Sequence, residues 1–269
     1  MIPRLDSSTP PMPPATLARL AGTPRPTTID DVIERLLAIE AALPARHGVA
    51  AFTRLYRWTT ENVGLAVRAG RFESPDQMVT LDVRFADLYF DAVDAWALGE
   101  PIPGAWAPLF ERAEDLDLAP LRFALAGMHA HINRDLAVAV ALSDPAPPEE
   151  DTPRFRDYRL LNAILDETSD QVRHRLLPPD LEEIDAALGE VDDRVVLAAI
   201  ATARRGAWEA AQLLYAVREH PLALRAAVDV LDGAVGAGAR LLLFQPELPV
   251  LGGYREHLLG VSPAAVPAS

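Results

Sequence analysis

Leu121-Arg-Phe-Ala-Leu-Ala-Gly-Met-His-Ala-His-Ile-Asn-Arg-Asp-Leu-Ala-Val-Ala-Val-Ala-Leu142 is the stretch whose reading decides the fold. It is apolar nearly all round, which on a helix means burial rather than a surface position. At 3.6 residues per turn His131 and Asp135 lie one turn apart on one face, and His129 and Asn133 lie one turn apart on the opposite face with Arg122. A buried carboxylate needs a partner, and an i, i+4 histidine supplies one by an ionic hydrogen bond or by sharing a metal.

Working outward, the surrounding segments carry the same helical period. Thr28 to Asp31 is a capping signal ahead of Val32, Leu36, Leu37, Ile39 and Leu43, and Pro44 ends that run. Further helices are predicted over 48–70, from Pro75 after Ser74 to Gly99, around 106–114, over 119–142, 154–177, 181–188, 192–219 and 222–244. Gly233, Gly236 and Gly238 weaken the last of these. The acidic, proline-rich Ser143 to Pro153 reads as a surface loop. No window shows sustained period-2 alternation and no repeat is visible, so the expectation is an all-α, compact multi-helix bundle of about eight or nine helices. Residues 28–244 form its domain. Residues 1–27, with prolines at 3, 10, 11, 13, 14, 24 and 26, read as a disordered tail, and 245–269 as mostly irregular.

Composition narrows the chemistry. The formal net charge of −14 and the lack of any basic block argue against nucleic acid and anionic membrane surfaces. No apolar run reaches the roughly 18 residues of a spanning helix, and the start of the chain lacks the greasy core of a signal peptide, so a cytoplasmic location is expected. The chain has no cysteine, which removes thiolate chemistry and iron–sulfur clusters. All 25 basic residues are arginine, which removes Schiff-base catalysis, covalent pyridoxal phosphate and a P-loop lysine; no nucleotide cofactor is indicated. A small-molecule substrate fits best, and a homo-oligomer is compatible with the sequence.

Three other segments place polar groups on apolar helices. In Val79-Thr-Leu-Asp-Val-Arg-Phe-Ala-Asp-Leu-Tyr-Phe-Asp-Ala-Val-Asp94 the apolar residues cover most of the circumference, while Arg84, Asp87, Asp91 and Asp94 share a narrow strip. That strip is either a solvated ion-pair face or a set of oxygen ligands for Mg²⁺ or another divalent metal. Asn162, Asp166 and Asp170 recur at i, i+4, i+8, where pairing with Arg159 and Arg173 is the plainer account. Arg204 and Trp208 are one turn apart, so Arg204 or Arg205 is placed either to clamp an anionic substrate group or to close a core carboxylate pair.

The segment Gly127-Met-His-Ala-His-Ile-Asn-Arg-Asp-Leu136 resembles the hallmark Gly-Met-Asn-Ala-His-Ile-Asn-x-Asp-Leu of a bacterial, chiefly actinobacterial, helical family of unknown function. The resemblance extends to Phe85–Asp94, Ala105-Trp-Ala-Pro-Leu-Phe110, Leu161-Asn162 and Ala203-Arg-Arg-Gly-Ala-Trp208, which span most of residues 30 to 240. The chain departs from the hallmark at His129, where the family has Asn, so His131 is the stronger candidate. The resemblance implies a fold and candidate positions, and no activity.

Three functions are expected to compete. One is a lyase similar in layout to class I terpene cyclases: it acts on a prenyl diphosphate held through Mg²⁺ by the two acidic strips, with an Arg204/Arg205 clamp and aromatic walls such as Phe85 and Tyr89. Another is a carboxylate–histidine metalloenzyme using Asp91, His131 and Asp135, within a wider ligand set that includes Asp87 and Asp94. The third is a helical binding or scaffold protein whose buried polar residues set helix register. On the enzyme readings Asp91, His131, Asp135 and Asn133 do the chemistry, and Arg204, Arg205, Trp208, Phe85, Tyr89 and Asn162 hold the substrate. All rest on the Asp91 and His131 faces meeting.

Overall fold

A computed structural model describes residues 15–176 and 182–244, with side chains over 15–164 and 198–244. Among the described residues every regular element is helical. They are α1 (Ala15–Ala21), α2 (Ile29–Ala41), α3 (Gly48–Arg68), α4 (Pro75–Leu98), α5 (Ala107–Glu111), α6 (Pro120–Ala130), a π-helical turn (His131–Leu136), α7 (Ala137–Leu142), α8 (Pro153–Leu176), α9 (Glu182–Val217) and α10 (Pro221–Leu243). The axis of the bundle is the run α6–π–α7, packed against α3, α4, α9 and α10. None of these helices is long and apolar enough to cross a membrane.

Local sequence sets the boundaries. Thr28 caps α2 in a full capping box with Asp31, which satisfies two otherwise orphaned backbone N–H groups. Pro75 occupies the first turn of α4, and Gly99 ends it in the left-handed conformation at φ 69°, which glycine adopts without a Cβ penalty.

Three elements depart from expectation, and a fourth forms as expected despite its glycines. The N-terminal tail is not irregular throughout: Ala15–Ala21 is helical, because this stretch is free of proline and Leu17 is buried to 1% against the core beside α4. Residues 1–14 and 245–269 lie outside the described part. The two helices expected over 181–188 and 192–219 are one helix, Glu182–Val217. The long helix over 119–142 is broken by the π turn at His131–Leu136; one-turn π segments within α-helices recur at functional sites. Finally, α10 runs unbroken through its glycines. A Cβ on Gly236 would stand 2.3 Å from the Gly104 carbonyl oxygen, and one on Gly238 would stand 2.4 Å from His129. These glycines trade helix propensity for close approach.

The same reasoning fixes Gly127 in α6, where an added Cβ would lie 2.3 Å from the Phe52 ring. Phe52 is 1% exposed and surrounded by aromatic rings, so it has no room to yield. Gly127→Ala is expected to destabilise the fold by about 1–3 kcal/mol through overpacking, read as a lowered thermal midpoint with the helical circular dichroism of the folded state retained.

Candidate functional site

The π turn sets His131 and Asp135 side by side in the interior, at 3% and 0% exposure. One Asp135 oxygen accepts the Trp106 indole N–H at 3.0 Å and faces His131 Nδ1 at 3.0 Å; the other accepts an Arg134 N–H at 2.7 Å. Arg134 also pairs with Asp232 of α10 at 3.3 Å. Asp232 in turn accepts the backbone N–H groups of Gly104 and Ala105, just ahead of Trp106. The carboxylate, arginine and indole thus tie together the loop before α5, the π turn and α10.

A carboxylate facing Nδ1 selects the tautomer with the proton there, because only an N–H can donate to it. That leaves Nε2 as the bare nitrogen. It is buried and has no hydrogen-bond partner. Burial lowers the His131 pKa below its usual value, opposed by the Asp135 hydrogen bond and charge, so the ring is neutral near pH 7. Five aromatic side chains enclose it: Phe85 is stacked at 3.5 Å with an interplanar angle of 9°, Tyr56 is at 4.4 Å, and Phe52, Trp106 and Tyr89 lie within 6.0 Å.

Two further buried groups carry no sequence motif: Tyr56, whose ring meets the imidazole, and Asp82, whose charge is felt at Tyr56. The Tyr56 hydroxyl is buried, with the Thr60 side chain as a polar neighbour and no well-formed hydrogen bond, and its pKa is raised first by burial and then by the charges of Asp82 and Asp135, against the opposing effect of Thr60. Asp82 is buried with one oxygen unpaired, and burial pushes its pKa up to about 7. The signal for Asp82 is its register. It lies three residues before Phe85 and seven before Tyr89, on the apolar face of α4 rather than on the strip of Arg84, Asp87, Asp91 and Asp94. Tyr89, by contrast, has its hydroxyl engaged by Thr53 at 2.6 Å.

The Asp91 and His131 faces do not meet. Asp91 has a side chain 58% exposed and pairs with Arg25, while Asp94 is gripped through both oxygens by the buried Arg35 at 2.9 Å and also by Arg25. Asp87 is half-buried on the same face, its pKa raised chiefly by burial. Arg134 stands between the two regions, its charge felt by both Asp135 and Asp91. Among the described residues no three His, Asp or Glu side chains are placed to hold a metal ion. The expected grouping of Asp87, Asp91, Asp94, His131 and Asp135 is therefore split, because the strip faces the N-terminal arm and α2.

Other candidates are dispersed. Asn133 donates to Nδ1 and to the carbonyl of His129, whose Nε2 meets the Val235 carbonyl at 3.2 Å, so both belong to the α6–α10 contact. Arg205 is exposed and pairs with Glu209 and Glu150. Arg204 is buried, donates to the Tyr158 carbonyl at 2.9 Å and lies 4.4 Å over the Tyr158 ring. Trp208 packs on Phe155 and Tyr158. The Arg204 Nε, the Trp208 indole nitrogen and the Asn162 Oδ1 are buried without partners. The side chains of Asp166, Asp170 and Arg173 lie outside the described residues.

The model of a family of unknown function, DUF5995, matches residues 29–245. The chain belongs to that family. The match begins at α2 and runs past the end of α10, so it takes in every element of the His131 site. No curated protein and no solved structure gives a significant match.

Two stability effects separate the interior site from the acidic strip. Asp135→Ala removes the acceptor of Trp106 and leaves Arg134 with Asp232 alone, and should cost about 3 kcal/mol in chemical denaturation, as for breaking a buried pair. Asp91→Ala, an exposed pair, should cost no more than about 1 kcal/mol. A pH effect follows from Asp82. Its folded pKa lies above its unfolded value, so between pH 4 and 7 the folded state binds more protons and stability falls as pH rises, at most about 1.4 kcal/mol per pH unit. The stability of wild type relative to Asp82→Asn should therefore decline from pH 4 to pH 7 and flatten above it, as measured by urea denaturation at each pH.

Proposed function

We propose that the chain is a small-molecule enzyme in which His131 Nε2 is a general base, acting on an apolar compound that carries a carbonyl oxygen. The observation that supports this reading most is the bare Nε2 at the end of the Trp106–Asp135–His131 chain, inside aromatic walls. A carboxylate that fixes the tautomer and steadies the imidazolium as it forms is the arrangement that makes histidine an effective base. Tyr56 and the protonated form of Asp82 are the two hydroxyl donors available to an oxygen that gains charge. A tyrosine and a neutral carboxylic acid in an apolar site stabilise an enolate oxyanion well, because they need no reorganisation as charge develops.

In the proposed reaction Nε2 takes a proton from the carbon beside the carbonyl. The C–H electron pair forms the C=C bond, and the carbonyl π pair moves to oxygen, where Tyr56 and Asp82 donate hydrogen bonds. Return of the proton from the imidazolium to the same carbon, with the oxygen pair re-forming the C=O bond, completes the exchange; in a β,γ-unsaturated ketone, return to the γ-carbon instead shifts the C=C bond into conjugation. Phe85 is the half-buried member of the ring cluster, and we place substrate entry on its side of the imidazole. The diphosphate reading draws no support from the Asp91 and Asp94 carboxylates, which are occupied by Arg25 and Arg35.

The test is hydrogen–deuterium exchange of the α-hydrogens of a panel of cyclic and aryl ketones in D₂O, followed by proton NMR. Wild type should accelerate exchange, with a rate that falls above about pH 7 as Asp82 loses its proton. His131→Gln should lower the rate by at least about 100-fold, the usual scale for a general base, while keeping the folded spectrum. No acceleration across the panel, or equal rates in His131→Gln, would count against the reading.

A further inference from the structure

Helix α10 is apolar on two faces. Its inner face buries Val235, Gly236, Ala239 and Leu243, yet Val230 is 74%, Leu241 75% and Phe244 60% exposed. Successive positions at 100° per residue place these three, with the exposed alanines and Gly233 between them, on a single outward stripe about 100° wide running from Ala223 to Phe244. An unbroken apolar stripe of this length on a surface marks a contact site.

The order of side chains along the stripe identifies its partner. We infer that this face pairs, antiparallel, with the same face of a second copy of the chain. If two α10 helices are laid antiparallel about a two-fold axis between Gly233 and Ala234, every large residue meets a small one. Phe244 faces Ala223 of the other copy, Leu241 faces Ala226, Val230 faces Ala237, and Gly233 faces Ala234. A two-fold interface must be self-complementary in this way. The small residues sit at the crossing point, where a Cβ on Gly233 would meet nothing among the described residues within 4 Å, so the helices can approach closely.

Charge agrees with the same register. Asp229 and Arg240 are both exposed and lie on the same edge of the stripe. A two-fold axis perpendicular to both helices keeps that edge on the same side in the two copies. Asp229 of one copy therefore lies beside Arg240 of the other, twice per dimer. In a parallel pairing, whose two-fold axis runs along the helices, that edge would fall on opposite sides in the two copies and no Asp229–Arg240 pair would form. With 23 residues the helix is about 35 Å long, and the two stripes together remove on the order of 1,000 Å² from water. That is the small end of specific interfaces, so the dimer should dissociate on dilution.

Analytical ultracentrifugation of the full chain over a hundredfold concentration range tests the pairing. Wild type should pass from monomer to dimer. Ala237→Arg, which sets a guanidinium opposite Val230 on each side, should weaken association by about a hundredfold or more with an unchanged circular dichroism spectrum. Because the natural chain has no cysteine, Ala234→Cys gives a single thiol beside the two-fold axis. Mild oxidation should convert it to a disulfide-linked dimer much faster than Leu65→Cys, an exposed position on α3. A wild type that stays monomeric throughout, as it would if residues 245–269 of the same chain covered the stripe, overturns the inference. So does a dimer that survives Ala237→Arg, or equal cross-linking of the two cysteine variants.

Discussion

The carboxylate of Asp135, buried completely and met by three nitrogen groups, is the constraint around which the rest of the structure is arranged. An ionised carboxylate in the interior is tolerable only when its lone pairs are taken up by good donors. Each donor here comes at a structural cost. Trp106 is presented by the loop between α4 and α5, and Asp232 pins that loop at Gly104 and Ala105. Arg134 is the residue immediately before Asp135, and the π turn is the backbone form that carries it, His131 and Asp135 together. The long central helix thus gives up α-helical regularity where its polar residues must converge, and the return is an imidazole with one nitrogen committed and one free.

Close approach of backbones makes this arrangement compact enough to exclude water. Gly127 lets α6 lie against Phe52, and Gly236 and Gly238 let α10 lie against the Gly104 loop and His129. These contacts are felt at the site because Phe52 and Trp106 are ring neighbours of His131. In so apolar a setting burial holds the proton on Asp82 up to about pH 7 and, with the charges of Asp82 and Asp135, on Tyr56 well above its ordinary range. The neutral base and the two neutral donors are products of the same desolvation.

Much of this was legible in the sequence, for reasons that are local. Capping at Thr28, Pro75 at a helix start and Gly99 at its end are nearest-neighbour effects, so the helices there fall where the residues say. The His131–Asp135 pair was legible because two polar residues one turn apart on an all-apolar helix leave few alternatives to contact. The partners were not legible, because they depend on which helices pack together. The acidic strip of α4 has the pattern of a ligand set, yet Arg35, seven residues beyond Thr28 in sequence but beside α4 in space, takes Asp94. Asp82 escapes a reading by residue type for the converse reason: it resembles the strip in chemistry and belongs to the core by register. The π turn adds one residue to a helical period and leaves no compositional mark.

The direct test of this account is the protonation state of His131, read from the nitrogen-15 shifts of the folded protein. At neutral pH Nδ1 should carry the proton and Nε2 none, and this state should persist as pH falls below the ordinary imidazole value of 6.5. In Asp135→Asn the preference for that tautomer should be lost. An imidazolium at neutral pH, or a ring protonated at Nε2 with Nδ1 bare, would contradict the claim that Asp135 holds His131 as a free base.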